Sequence, residues 1–247
     1  MASPAATGSY SQRIIESLRS PPIAFAHRGG RAHAADNTIG AFKLGLRLGA
    51  TGLESDVWLT ADGVAVLDHD GKVRVGMRSR PVASLTRASL PAHVPTLEEL
   101  YAECGTAFEL SLDIKDPAAA PVVVDVARAA GGDAPGRLWA CHHEWEVLAG
   151  WRKDLHDVHL VDSTRLRAMR QGPERRAAQL SSAGIDAVNL HYDEWTGGLT
   201  TLFHRFGILG FGWDAQHERI LRSLVNMGID GVFSDHVDRM VDALGLA

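Results

Sequence analysis

Cysteine is nearly absent from this chain of 247 residues, with Cys104 and Cys141 the only two. Two thiols cannot build a disulfide framework, so the simple expectation is a pair of reduced cysteines in a cytoplasmic protein. Long apolar runs are missing: no stretch approaches the roughly 20 residues that a membrane span requires, so no stable membrane insertion is expected. Residues 1–20 lack the basic start and apolar core of a secretory signal. There is no Gly/Ser-rich linker, no low-complexity run and no shift in composition, which favours one large domain over two small ones. Positive charge is in deficit, with a net charge of −5. That argues against a non-specific nucleic-acid binder, which needs a basic surface to displace counterions. No Gly-x-Gly-x-x-Gly follows the first apolar run, which weakens a dinucleotide-binding open sheet. The remaining composition, 45% hydrophobic and 22% charged, is that of an ordinary globular protein.

What is present is alternation. Residues 1–20 form a polar tail leading into a short helix, Gln12–Arg19. From Ile23 onward, eight apolar strand-like runs appear: Ile23–His27, Gly52–Trp58, Phe108–Ile114, Arg137–Cys141, Val158–Asp162, Ala187–Leu190, Ile208–Trp213 and Gly231–Ser234. A helical pattern follows each, at Thr38–Leu48 with Asp36 or Asn37 as its cap, then Pro95–Cys104, Ala119–Ala130, Glu144–Trp151, Pro173–Ala183, Glu194–Phe206, Ala215–Met227 and Asp238–Leu244. The Asp62-Gly63 pair predicts a hairpin into an extra strand, Val64–Asp68, a short insertion after strand two. Eight strand and helix pairs predict an α/β fold in which residues 21–247 form a closed (β/α)8 TIM barrel, with an open doubly wound sheet as the alternative.

In such a barrel the chemistry gathers at the carboxyl ends of the strands. His27 and Arg28 end strand one, Glu54 and Asp56 lie late in strand two, Asp113 and Lys115 end strand three, and His69 follows the hairpin. Side chains two apart on a strand share a face, so Glu54 and Asp56 project together, as do Asp113 and Lys115. Adjacent carboxylates are hard to desolvate unless a cation sits between them. Three hard oxygen donors, Glu54, Asp56 and Asp113, suit magnesium, calcium or manganese better than zinc. Arg28 and Lys115 offer positive charge for phosphate oxygens, and His27 and His69 are the parts of a general acid and general base. The set points to phosphodiester cleavage.

These residues occur in ordered strings: Ala26-His27-Arg28-Gly29-Gly30, Asp36-Asn37-Thr38, Gly52-Leu53-Glu54-Ser55-Asp56-Val57, Thr60-Ala61-Asp62-Gly63-Val64, His69-Asp70, Pro95-Thr96-Leu97-Glu98-Glu99 and Asp113-Ile114-Lys115. Their order and spacing resemble the glycerophosphodiester phosphodiesterase family, and Gly228–Asp235 resembles its closing strand. Residues 117–207 match only as generic barrel. The resemblance implies a (β/α)8 barrel that uses a divalent cation, Mg2+ or Ca2+, to hydrolyse a small-molecule glycerophosphodiester to sn-glycerol 3-phosphate and an alcohol. It implies metal binding by Glu54, Asp56 and Asp113, acid and base roles for His27 and His69, and phosphate binding by Arg28 and Lys115. It also implies a cyclic phosphate, opened by water with the two histidines exchanging roles. Trp213 resembles a family pocket aromatic, with simple rim packing as the alternative.

Three departures stand out. Asp36 and Asp113 replace the usual glutamates, pulling each carboxylate back by about one C–C bond, ~1.5 Å, which matters more for magnesium than for calcium. Only Gly71–Val94 separates His69 from the next helix, so the lid is expected to be small, with basic Lys72, Arg74, Arg78 and Arg80. Further candidates for the mouth are His33, His142, His143, Asn189 and His191, while Trp139, Trp145, Trp151 and Trp195 are expected to pack. Two other functions remain open: a sphingomyelinase D-like lysophospholipid phosphodiesterase, and a lapsed barrel that binds a phosphorylated ligand. The head group, the choice of metal and the choice between monomer and homodimer are not legible in the chain.

Overall fold

In the computed structural model, which describes residues 15–246, the first strand β1 (Ile23–Ala26) is buried along its whole length. Such a run makes sense only for a strand covered on both faces. Ile23 and Phe25 point into a closed barrel, while Ala24 and Ala26 face the surrounding helices. The same division by parity governs every barrel strand.

The elements follow in order. Helix α1 (Ile39–Arg47) is succeeded by β2 (Gly52–Leu59) and by β3 (Ala65–Leu67), which pairs antiparallel with β2. A two-stranded ribbon, β4 (Lys72–Val75) and β5 (Arg78–Pro81), precedes α2 (Leu97–Cys104). The remaining units are β6 (Glu109–Ile114) and α3 (Ala119–Ala130), β7 (Leu138–His142) and α4 (Trp145–Trp151), β8 (His159–Ser163) and α5 (Pro173–Ser182). They continue with β9 (Ala187–His191) and α6 (Gly197–Arg205), β10 (Leu209–Trp213) and α7 (Glu218–Asn226), β11 (Gly231–Ser234) and α8 (Val237–Leu244). Strands β1, β2, β6, β7, β8, β9, β10 and β11 pair in parallel in that order, and β11 pairs back to β1. Closure leaves the eight barrel strands without a free edge, apart from the short β3 added beside β2. The expected barrel and its insertion after strand two are both present.

Two layers hold it together. The lumen is filled by Ile23, Phe25, Trp139, Cys141, Val161, Ala187, Phe211 and Phe233, with Phe25 stacked on Phe233 at 4.5 Å between ring centroids. Outside, residues such as Leu53, Val57, Leu110, Leu112 and Leu160 pack against the helices. Gly52 opens β2 because a Cβ there would come within 2.6 Å of the Phe25 ring. Helix α2 starts with a reciprocal cap: the Glu99 N–H donates to Thr96 Oγ1 at 2.9 Å, and the Thr96 N–H donates to Glu99 at 2.8 Å.

Two local expectations are corrected and a third gains detail. The helix expected over Gln12–Arg19 does not form within the described residues: Ile15–Arg19 is irregular, and residues 12–14 lie outside them. The Leu18 and Arg19 N–H groups donate instead to Asp230 Oδ1, at 2.7 and 3.1 Å, which fixes this segment under the barrel. Helix α1 is capped by Thr38, whose hydroxyl accepts from the Ala41 N–H at 3.2 Å, and not by Asp36 or Asn37. The segment expected as a small lid contains the β4–β5 ribbon, with Lys72, Arg74, Arg78 and Arg80 exposed. Among the described residues no helix is long and apolar enough to cross a membrane.

Candidate active site

Strands β2 and β6 carry charges where the lumen would otherwise be apolar, and His27 and Arg28 follow directly on β1. The register sets Asp56 beside Asp113 and Glu54 beside Ser111. At the carboxyl ends of the barrel strands, these residues open on a cavity of about 310 Å³. Its lining includes His27, Arg28, Glu54, Asp56, His69, Asp113, Lys115 and Trp213, so all eight residues singled out in the sequence share one pocket. Ser163, Asn189 and Asp214 line it from the other side, and Cys141 and Phe233 contribute apolar surface.

The turn after β1 is built for its task. Arg28 adopts a left-handed conformation with φ of 50°, a state that costs a non-glycine residue about 1–3 kcal/mol. The strain is compensated by placement: the Arg28 N–H donates to Glu54 Oε2 at 3.0 Å, and its guanidinium reaches Asp36 at 3.2 Å. Gly29 follows at φ 83° with its backbone against α1, where a Cβ would sit 2.7 Å from the backbone of Ala41 and Phe42. Asn37, also left-handed at φ 53°, accepts from the Ser55 hydroxyl at 2.7 Å and anchors the far end of this loop to β2.

The electrostatics are those of crowded, poorly solvated charge. Burial pushes the Glu54 carboxyl up to about 7; the carboxylates of Asp56 and Asp113 push the same way, and His27 pulls against them. Asp56 is likewise raised by burial, against the opposing pull of Lys115. The Lys115 ammonium sits between Asp56 Oδ1, at 2.8 Å, and Asp113. Burial opposes its charge, but the two carboxylates outweigh that and hold it protonated. Asp56 Oδ2 and Arg28 Nε face each other at 3.9 Å, too far to bond, and both are buried without a hydrogen-bond partner. His69 stands at the mouth with 46% of its side chain exposed and pairs with Asp70 at 2.7 Å.

Several expectations for the mouth are corrected. His142 points outward, because β7 turns Trp139 and Cys141 inward; it stacks on His143 and meets Trp151. His143 is exposed. His191 packs edge-on against Trp213 at 4.5 Å and bonds to Asp193 and Asp214, so it braces the rim without lining the cavity. His33 pairs with Asp238 at 3.1 Å on the outer surface. His33, His236 and Asp238 are also the one set of three described residues whose possible metal-ligand atoms lie within 4.8 Å of one another; the three carboxylates of the cavity do not cluster so closely. Trp139 and Trp195 are buried in the core, as expected.

The sequence reading misses the lining residues Ser163 and Asp214 and a partner of His27. Asp235 bonds His27 Nδ1 at 2.5 Å from the residue just past β11. Its signal lay in strand parity, since Gly231, Phe233 and Asp235 alternate onto the inner side.

Known proteins share this fold and family. A Mycobacterium tuberculosis protein named as a probable glycerophosphodiester phosphodiesterase 2 is 25% identical over 260 residues, covering 90% of each chain. The crystal structure of a Thermotoga maritima glycerophosphodiester phosphodiesterase superposes with a TM-score of 0.77 at 22% identity, over 90% of this chain and 97% of that one. An Oleispira antarctica phosphodiesterase solved with its product sn-glycerol 3-phosphate gives a TM-score of 0.76 at 21% identity, over 91% and 97%. Residues 27–239 match the glycerophosphoryl diester phosphodiesterase family, and this chain belongs to that family.

Proposed function

We propose that this protein hydrolyses glycerophosphodiesters to sn-glycerol 3-phosphate and an alcohol with the aid of a divalent cation. The observation that carries the reading is the convergence of two histidines, two cations and three carboxylates on one cavity in a chain of this family. The Oleispira antarctica relative, named as holding sn-glycerol 3-phosphate as product, supports the product side.

Arg28 and Lys115 would hold the phosphate, the first through a fork of N–H donors and the second as a compact ammonium. His27 and His69 are the proton carriers. In the first step one imidazole takes the proton from the glycerol hydroxyl next to the phosphoester carbon as its oxygen bonds to phosphorus. The other gives a proton to the departing alcohol oxygen. In the second step water adds to phosphorus, the ring P–O bond breaks and the two imidazoles exchange roles. Such proton transfer contributes typically 10²–10⁴-fold in rate. Trp213 forms one wall of the mouth, held by His191 at its edge and by the Arg165 guanidinium 5.4 Å from its ring centre.

The donor set fits a hard divalent cation. Asp56 Oδ2 is buried with no partner, and Glu54 is driven toward its neutral form by burial and by its neighbours. A cation relieves both, and oxygen ligands favour Mg2+ or Ca2+. Glu54, Asp56 and Asp113 would hold it, and when bound it supplies neutralisation of the charge on the phosphoryl oxygens.

The test is release of sn-glycerol 3-phosphate from glycerophosphocholine and glycerophosphoethanolamine with magnesium, calcium or a chelator. Wild type should turn over with a cation, and His27→Ala should lose at least about 100-fold. No turnover with any cation by a folded protein would overturn the reading and direct attention to lysophospholipids.

A further inference from the structure

The catalytic half of the cavity, from β1, β2 and β6, is charged, whereas the facing half, from β8, β9 and β10, is neutral except at its rim. On that neutral wall Asn189 is 7% exposed, and its side-chain oxygen is buried with no hydrogen-bond partner. Its amide nitrogen is engaged with Ser163 Oγ at 3.4 Å, so the oxygen is the atom left over. An unpaired buried acceptor costs free energy that a bound donor recovers. The same cavity has apolar lining from Phe233, Cys141 and Trp213.

We infer that Asn189 Oδ1 accepts a hydrogen bond from the terminal hydroxyl of the substrate's glycerol and so selects glycerol over less hydroxylated alcohols. This rests on the phosphodiesterase reading above. With phosphate held on the β1, β2 and β6 side, the organic groups lie toward the opposite wall. The glycerol must keep its reacting hydroxyl near phosphorus and therefore takes the deep position, where Asn189 lies. The leaving alcohol takes the rim beside Trp213 and Asp214, of which Asp214 has 48% of its side chain exposed. A cavity of about 310 Å³ is at the small end for ligand sites, which suits a glycerol-sized group. A buried polar group built to meet a hydroxyl discriminates strongly against a ligand that lacks it.

The experiment compares glycerophosphocholine with its analogue in which propane-1,2-diol replaces glycerol. The analogue keeps the hydroxyl next to the phosphoester carbon and lacks only the terminal one, and choline release reports both. Wild type should prefer the glycerol substrate by about 10- to 100-fold in kcat/KM. Asn189→Ala and Asn189→Leu should lose that factor on the glycerol substrate and far less on the analogue, bringing the ratio close to one. Turnover of the analogue by each variant shows that it is folded. A preference of wild-type size in either active variant, or no preference in the wild type, overturns the assignment of Asn189 alone. Wild type releasing choline from neither compound overturns the phosphodiesterase reading as well.

Discussion

Asp235 Oδ1 lies 2.5 Å from His27 Nδ1, so the ring that opens the site on β1 is held by a carboxylate from the far end of the chain. Burial disfavours the charged ring, but Glu54 and Asp235 together outweigh it and raise His27 above the ordinary 6.5. The bond engages Nδ1 and leaves Nε2 facing Glu54 Oε2 at 3.8 Å.

Replacing Asp235 by asparagine keeps the shape and removes the charge. With less to stabilise the imidazolium, the His27 pKa falls. Whichever limb of the pH profile His27 governs, acid or alkaline, that limb moves to lower pH. The activity at the optimum should fall by about 10- to 100-fold, within what one proton-transfer group contributes. Profiles of kcat/KM against pH for wild type and Asp235→Asn check this, and superimposable profiles would rule it out.

The crowded carboxylates give a prediction that needs no turnover. Glu54 is raised from 4.5 to about 7, and Asp56 is raised as well. The folded state then binds more protons than the unfolded one, so stability contributed by these groups is highest at low pH and declines between about 4.5 and 7. For Glu54 alone the decline is on the order of 3 kcal/mol. A divalent cation favours the ionised carboxylates and reverses the loss. Melting temperatures in chelator should fall across this window relative to the same protein with calcium, and the gain on adding calcium should be larger at pH 8 than at pH 5. A calcium effect that is absent, or equal at both pH values, would count against Glu54 and Asp56 as ligands.

Asp113 is the shorter carboxylate at its position, with 35% of its side chain exposed and Lys115 against it. Magnesium demands close octahedral geometry, and calcium tolerates displaced ligands. Calorimetry should therefore show calcium bound more tightly than magnesium by the wild type, with Asp113→Glu narrowing the difference by about tenfold. Asp56→Asn should weaken both. An unchanged ratio in Asp113→Glu would show that the missing methylene does not set the choice of metal.

Strand parity makes most of this site legible in the sequence. Glu54, Asp56, Asp113 and Lys115 alternate with Leu53, Ser55, Leu112 and Ile114, and that period alone puts the charged residues on one side and the uncharged ones on the other. The same rule, applied at β7, would have turned His142 outward, since Trp139 and Cys141 occupy the inner face. The expected strand ends at Cys141, one residue short of β7, which leaves His142 in the loop at the mouth. The β4–β5 ribbon carries a local signal that the expected lid leaves out: Lys72-Val73-Arg74-Val75 and Arg78-Ser79-Arg80 alternate with period two on either side of Gly76-Met77. One feature is illegible because a long-range contact decides it. The segment Ile15–Arg19 has a helical pattern, but Asp230, more than 200 positions away, takes its N–H groups.

Asp230 consequently ties the N-terminal segment to the amino end of the barrel strands. It is fully buried, and its Oδ1 accepts from the Ser17 hydroxyl at 2.6 Å and from the Leu18 and Arg19 N–H groups. Its Oδ2 accepts from the Gly210 N–H at 2.7 Å and bonds His204 Nε2 at 2.7 Å. An asparagine has one acceptor oxygen where the aspartate has two, and its NH2 would face donors. Each buried donor left unpaired costs about 1–3 kcal/mol. Asp230→Asn should therefore lose about 2–5 kcal/mol and melt on the order of 10 °C lower. Because Asp230 precedes β11 and the site lies beyond the opposite end of the strands, turnover per folded molecule at low temperature should stay within about twofold. A melting temperature within about 2 °C of wild type would mean that the N-terminal segment contributes little to the barrel. A large loss of turnover without a change in melting would mean that the two ends of the barrel are coupled.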